Sequence, residues 1–482
     1  MGKGNVLAGI MEIDATEITG TDDLHHPDGV IREAQELAAD LFGADETFFL
    51  VGGSTAGNLA LILSVCTTPG DVLLVQRNVH KSVIHGLMLA NANAVFLAPQ
   101  QDMGSGLMII PSEETVREAL SRYPDAKGLL VTNPNYYGMG AALLPLAELC
   151  HASGIPLLVD EAHGAHYGLH PVLPQSALEA GADGVVQSTH KMLTAMTMGA
   201  MLHIQGDLLN TNIIRQRLAM IQSSSPSYPI MASLDLSRSM IQSQGADFFA
   251  VGLALVHDLM KDIGELQRIH FLKPGASGGT GAYSIQDPFK VVLYDAKEEW
   301  SGYRLQEALE AEGCVPEMSD DQYVVLALSP ASTQENIDRL KNTLIKMDQM
   351  MQVSTWNIEK REDIYNVSQK GLDIEVEAAI DLDQGNPRYV EAVSDKVLFD
   401  LRILAAEEVE SVRIEECEGR KAAEMVIPYP PGIPILYPGE QISAHTVLEL
   451  VKIKDAGAKC QGTADPTLTM IQVHKTGAVQ DE

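Results

Sequence analysis

The sequence predicts an α/β fold: one mostly parallel sheet of seven strands with helices on both faces, followed by smaller α/β units toward the C-terminus. Three observations carry this expectation. Short apolar runs recur through about residue 204 with helical patterns between most of them, the alternation that wraps helices around a parallel sheet. A chain of 482 residues with 45% hydrophobic content can bury a large core. A Gly-rich passage and a later charged segment then divide the rest of the chain.

Residues 1–27 read as an arm that ends in the polar, turn-rich cluster Thr21-Asp-Asp-Leu-His-His-Pro27. A large domain over 28–272 opens with Val30, Ile31, Ala34, Leu37, Ala38 and Leu41 at helical spacing and passes into a strand at 47–51. Further strands are expected at 72–75, 94–97, 128–132, 155–159, 184–187 and 198–204, with helices such as 114–123 and 144–152 between them. Pro274-Gly-Ala-Ser-Gly-Gly-Thr-Gly281 marks the next boundary; with no strand leading into it and no helix opening from it, it is not a nucleotide-binding fingerprint. A small α/β domain over 273–356 is expected from runs at 290–293 and 323–328 around a helix at 302–312. The charged segment 357–363 leads to a C-terminal unit, 357–482, that contains Tyr429-Pro-Pro-Gly-Ile-Pro-Ile-Leu-Tyr-Pro-Gly-Glu440.

Lys+Arg 33 against Asp+Glu 65 leaves a net charge of −32, which argues against nucleic acid as a partner and would draw in cationic substrates. Cys66, Cys150, Cys314, Cys417 and Cys460 are odd in number and widely spaced, which fits a reducing cytoplasm and offers no metal-ligand spacing. Glu12 and Asp14 interrupt the N-terminal apolar run before a signal-peptide core, and the run at 59–65 is too short to span a bilayer. No membrane partner is expected.

Ligands of such sheets sit at the carboxyl ends of the strands, so the residues after each run matter most. Gly184-Val-Val-Gln-Ser-Thr-His-Lys191 ends an apolar strand in a hydroxyl, an imidazole and an amine. Lysine is seldom buried unless paired or used, so Lys191 points to a Schiff base with a carbonyl cofactor, pyridoxal phosphate being the leading candidate. That cofactor needs a carboxylate at its pyridinium nitrogen, and Asp160, closing the strand at 155–159, is placed to supply it; the competing reading is a helix cap. Gly52-Gly-Ser54-Thr55-Ala56-Gly-Asn58 precedes an apolar helix and suits a phosphate, although an ordinary strand-to-helix turn has the same composition. Ser188 and His190 either complete that site or satisfy local backbone groups. His80 either stacks on the cofactor ring or is structural. His163 and His166 lie three apart, but without an HExxH pattern, and with a glycine between them, no metal site is expected.

Taken together, Asp22-Asp-Leu-His-His-Pro27, Arg77-Asn-Val-His-Lys-Ser82, Val159-Asp-Glu-Ala-His-Gly-Ala-His166, Ser188-Thr-His-Lys191, Ser225-Pro-Ser-Tyr-Pro229 and Tyr429-Pro-Pro-Gly-Ile-Pro434 resemble the Orn/Lys/Arg decarboxylase family in its short form. The resemblance implies the fold-type I pyridoxal-phosphate transferase fold, with Lys191 bonded to the cofactor, Asp160 on the ring nitrogen and His80 stacked on the ring. It places Ser54, Thr55, Ala56, Ser188 and His190 around the phosphate and His163 near the phenolic oxygen. It further implies a homodimer, or a multiple of one, in which Ser224 or Ser225 reaches the partner's phosphate site. The family's N-terminal Pro-Gly-His segment and the wing of its long members are not seen here, so a decamer is not expected.

The activity implied is decarboxylation of a basic amino acid, arginine first, then lysine, then ornithine. Lys191 and His190 are candidate donors of the Cα proton, and Glu17, Asp22 and Glu440 are candidate partners for the substrate's distal cation. Transamination is the competing chemistry; it would want an arginine for the substrate carboxylate, and Arg304 and Arg339 are the residues available. A non-catalytic binding protein is the third reading, which the intact lysine, aspartate and histidine set disfavours.

Overall fold

The computed structural model describes residues 4–273, 284–353, 391–429, 432–455 and 457–475. The Gly-rich passage at 274–281, the charged segment 357–363 and the prolines at 430 and 431 lie outside these residues.

The large sheet is built from β1 (Glu46–Leu50), β2 (Val72–Gln76), β3 (Asn93–Leu97), β4 (Leu129–Thr132), β6 (Leu157–Asp160), β7 (Gly184–Gln187) and β8 (Ala200–Ile204), with the short strand β5 (Met139–Gly140) lying outside it. Its order is β1-β8-β7-β6-β4-β2-β3, and an eighth strand, β14 (Val393–Leu398), closes the edge beside β3. The four pairings from β3 through β7 are parallel, whereas β8 runs antiparallel to both its neighbours and β14 antiparallel to β3. The sheet therefore has one strand more than expected. Val-Ser-Asp-Lys-Val-Leu is half polar because an edge strand needs only one face covered, so it carries no apolar run to read.

Successive residues of the central strands fall into two separate cores. Phe49, Leu74, Leu129, Val159 and Val185 pack on one face, and Phe48, Leu73, Leu130, Leu158 and Val186 on the other. This is the period-2 consequence of a sheet covered on both sides. The helix Gly53–Val65 lies flush on the second face because Gly57 has no side chain: a Cβ there would stand 2.8 Å from Val186 Cγ1 and 2.9 Å from Leu50 Cδ1. That close approach sets the helix N-terminus beside the carboxyl end of β7.

The small domain is a four-stranded antiparallel sheet ordered β12 (Met318–Ser319), β13 (Val324–Ala327), β11 (Lys290–Asp295), β9 (Ile269–Phe271), carrying the helices Gly302–Ala311 and Gln334–Val353. Its first strand thus comes from before residue 273, and Arg268 locks it there through the buried carboxylate of Asp295 at 2.7 and 2.9 Å. A two-residue ribbon, β10 (Ile285–Gln286) against β5, ties this domain to the loop after β4. The C-terminal unit has its own core, centred on Ile414, Val426, Leu436, Leu450 and Val473. Two antiparallel pairs frame it, β15 (Val409–Arg413) with β18 (Met470–His474) and β16 (Ile427–Pro428) with β17 (Cys460–Gln461).

The arm docks through Asp22. Its carboxylate accepts backbone N–H bonds from Asp23, Asp28, Gly29 and Ile31, which start the helix Val30–Phe42. Burial opposes ionisation, but these four donors hold the Asp22 carboxyl at about 2. Among the described residues, no helix is long and apolar enough to cross a membrane.

Candidate active site

Lys191 does not sit at the strand tip itself. The strand β7 ends at Gln187, and a one-turn helix, Thr189–Met192, carries the lysine forward over the sheet's carboxyl edge. Its Nζ lies 3.0 Å from His163 Nε2 and 5.6 Å from the centre of the Tyr136 ring, which packs on the His163 ring at 4.4 Å. Burial lowers the pKa of the lysine, opposed by the charge of Asp160 and reinforced by that of Lys290. Burial likewise holds His163 well below the ordinary imidazole value, helped by the neighbouring Lys191. A neutral His163 can therefore accept a hydrogen bond from the lysine through Nε2.

Asp160, 4% exposed, closes β6 beside this pair. One carboxylate oxygen accepts from the amide of Asn58 at 2.8 Å and the other from Ala162 N–H at 3.1 Å. Each retains a lone pair for a further donor. Asn58 also donates to Ser82 Oγ at 3.0 Å, and Ser82 Oγ lies 2.9 Å from His80 Nδ1. His80 caps the helix Lys81–Ala90, with Ser82 N–H donating to the same Nδ1 at 3.2 Å. Burial pushes its pKa down to about 4, against the attraction of Asp160. The other edge of the imidazole abuts Gly432, where an added Cβ would stand 3.1 Å from Cδ2 and Nε2.

The C-terminal unit reaches this point through Arg77. Its guanidinium donates to both oxygens of Glu440 at 2.8 Å and to the carbonyls of Pro434 and Ile435 at 3.1 and 3.0 Å, with Tyr437 stacked beneath it at 4.2 Å. Glu440 thus anchors a domain contact, and Asp22 a helix start. The structure places neither of these two candidate substrate partners beside Lys191.

Whether these residues suit pyridoxal phosphate is tested by their unmet hydrogen bonds. Ser188 Oγ and His163 Nδ1 are both buried and have no hydrogen-bond partner among the described residues. Ser188 lies two residues beyond Val186, against which Gly57 of the helix Gly53–Val65 packs, and Gly52 supplies that helix no side-chain cap. A phosphate would meet a donor hydroxyl and helix-start amides here, and a pyridinium would meet Asp160, so the residues fit the group. Ser54 is half-buried, Thr55 exposed and Ala56 buried at that helix start. His190 is half-buried, and its Nδ1–H donates to the Gly199 carbonyl at 2.9 Å. Ser224 and Ser225 are exposed, and no described contact brings them to Lys191 within the chain. His166 turns away from His163 and pairs with Asp287 at 3.0 Å. Arg304 stacks on Trp300 at 4.0 Å, and Arg339 is exposed on its helix.

Sequence reasoning missed Asn58, Ser82, Tyr136 and Lys290. Tyr136 follows β4 and was open to the strand-end rule. Lys290, 3% exposed, precedes an apolar run with nothing to distinguish it from a surface lysine.

The chain matches the model of the Orn/Lys/Arg decarboxylase major domain over residues 7–279 and that of the Orn/Lys/Arg decarboxylase C-terminal domain over 401–461. It is 41% identical over 468 residues to the uncharacterized protein YaaO of Bacillus subtilis (strain 168), covering 94% of this chain and 88% of that one. To the arginine decarboxylase of the same organism it is 33% identical over 466 residues, covering 96% and 89%. The fold superposes on the Francisella novicida lysine decarboxylase LdcF with a TM-score of 0.75 at 20% identity, over 97% of this chain and 75% of that one. It also superposes on a Sphingomonas wittichii serine palmitoyltransferase at 0.53 with 16% identity, over 72% and 84%. With two family models in sequence and relatives matched over nearly nine-tenths of their length, the chain belongs to the Orn/Lys/Arg decarboxylase family.

Proposed function

We propose that the protein decarboxylates L-arginine to agmatine and carbon dioxide with pyridoxal phosphate held at Lys191. The observation that carries this reading is the placement of Lys191, His163, Asp160 and His80 around one point at the carboxyl edge of the large sheet. When bound, the cofactor supplies an electron sink for the pair released as the Cα–carboxylate bond breaks. Asp160 holds the pyridinium proton, and Ser188 with the helix start at 53–56 receives the phosphate. His80 covers the ring. Lys191 and His190 remain the candidates for returning a proton to Cα. Full-length relatives named arginine decarboxylase, at 33 to 34% identity, support arginine over lysine.

Glu317 supports a cationic substrate. Its charge reaches Lys191, His190, Lys290 and Tyr136, yet its carboxylate is exposed and carries no hydrogen bond or ion pair among the described residues. A guanidinium would satisfy it. A homodimer is supported by the apolar rim of the site. Exposed Met196 shares a surface cavity with Ile10 and Met11, and the carbonyl of exposed Met198 accepts from Gly53 N–H at the helix start.

Carbon dioxide and amine release from arginine, lysine and ornithine, measured beside Lys191→Ala, tests the reading. Agmatine that disappears in the variant supports it. A preference for lysine overturns the substrate, and bound cofactor without carbon dioxide from any of the three overturns the reaction.

A further inference from the structure

The buried contacts between Asp160 and His80 form an unbroken chain with a fixed direction. Asn58 sits on the helix Gly53–Val65, 1% exposed, and Ser82 on the helix Lys81–Ala90, also 1% exposed. The Asn58 amide nitrogen has two protons. One goes to Asp160 Oδ2 at 2.8 Å and the other to Ser82 Oγ at 3.0 Å. Turning the amide over would set its oxygen against a carboxylate oxygen, so the charge on Asp160 decides which way Asn58 faces. Asn58 Oδ1 is buried and has no partner among the described residues, as expected where the carboxylate fixes the amide's orientation.

The direction continues. Ser82 Oγ accepts from Asn58, so its single proton is free to go to His80 Nδ1 at 2.9 Å. The same nitrogen already faces Ser82 N–H at 3.2 Å, and a backbone N–H cannot reverse. Nδ1 must therefore present a lone pair, and the neutral imidazole carries its proton on Nε2, the edge that abuts Gly432.

We propose that Asn58 and Ser82 are positioning residues that couple the Asp160 carboxylate to His80: the Ser82 N–H fixes the Nε2–H form, and the chain through Asn58 and the Ser82 hydroxyl directs a second donor at Nδ1 and holds the imidazole in one orientation over the cofactor. The inference rests on the placement of His80 proposed above. Three elements of the large domain are thereby tied to one protonation pattern: the strand that carries the pyridinium carboxylate, the phosphate-side helix and the helix that carries the ring cover.

The test uses the full-length protein with 15N-labelled histidine, the His80 signals being those absent from His80→Ala. The nitrogen resonances should report an acceptor Nδ1 and a protonated Nε2. Asp160→Asn should move the Nδ1 resonance, and should move it markedly less when Ser82→Ala is also present. In the cofactor-loaded protein, Ser82→Ala should release pyridoxal phosphate roughly fivefold faster, with Ser82→Thr restoring the slow rate. Asn58→Ala combined with Ser82→Ala should release it no faster than the worse single variant. An equal response of Nδ1 with and without the Ser82 hydroxyl overturns the relay, as does an additive double variant or a Ser82→Thr protein that behaves like Ser82→Ala. Should His80→Ala leave cofactor absorbance and release unchanged, the placement of His80 on the cofactor fails instead; the nitrogen response to Asp160→Asn would still decide the relay by itself.

Discussion

Arg77 and Glu440 meet as a half-buried ion pair, one guanidinium nitrogen donating to both carboxylate oxygens at 2.8 Å. They join the residue three places before His80 to the segment that lays Gly432 against it. Replacing Arg77 by alanine leaves Glu440 and two carbonyls without their donor. The expected loss is about 3 kcal/mol of stability by urea denaturation. Arg77→Lys should recover only part of it, because one ammonium cannot match two guanidinium nitrogens that reach Glu440 and the Pro434 and Ile435 carbonyls together. Equal stability for lysine and arginine would mean that charge alone, rather than the shape of the guanidinium, holds the contact.

Ser188 offers the opposite pattern. Its hydroxyl is buried and has no partner among the described residues, so Ser188→Ala should leave the cofactor-free chain as stable as before, or more so. Pyridoxal phosphate should nevertheless bind roughly tenfold more weakly, as expected for a lost hydrogen bond to a charged group. Fluorescence titration with the cofactor and thermal melts of the cofactor-free protein separate the two effects. Unchanged affinity would remove Ser188 from the phosphate site.

Stability should fall on acidification. Burial depresses His80 to about 4 and His203 to about 3 in the folded chain, against an ordinary value of 6.5. Below 6.5 the unfolded chain takes up protons that the folded chain refuses, so stability present above that pH is lost as pH falls through the folded values. His80 alone accounts for about 3 kcal/mol between neutrality and pH 4. His203 is fully buried between Thr47 Oγ1 at 2.8 Å and Gln187 Oε1 at 3.1 Å. His203→Gln should flatten the plot of unfolding free energy against pH by about one proton below 6.5. A slope that stays the same would show that this histidine is not refusing a proton.

Gly432 has φ +91°, and a Cβ there would press on His80 at 3.1 Å. Gly432→Ala should cost about 1–3 kcal/mol from backbone strain alone. It should also disturb the bound-cofactor absorbance, which Gly439→Ala should leave unchanged: Gly439 also has positive φ, +85°, but open space around it. Identical spectra in the two variants would separate Gly432 from the site.

Much of the large domain was legible because buried parallel strands announce themselves as apolar runs, and the residues after them carry the chemistry. Lys191, Asp160 and His163 lie near one another after two such strands. The eighth strand was not legible, since an edge strand with Ser394, Asp395 and Lys396 looks like a loop. Nor were Asn58 and Ser82, whose importance lies in lone pairs and protons that only three-dimensional contact assigns. Glu440 and Asp22 were plausible as substrate partners by charge alone, and the fold gives each a backbone or ion-pair duty instead.

The pairing of β14 with β3 has a consequence for how the chain is made. Leu398 lies opposite Asn93 and Val393 opposite Leu97, so the sheet that bears the candidate site residues is finished by a segment some 300 positions downstream. On the ribosome, the outer edge of β3 waits with its hydrogen-bonding groups open until the C-terminal quarter emerges. A truncation that kept every candidate catalytic residue but stopped before residue 393 would leave that edge permanently bare, a template for pairing with other chains.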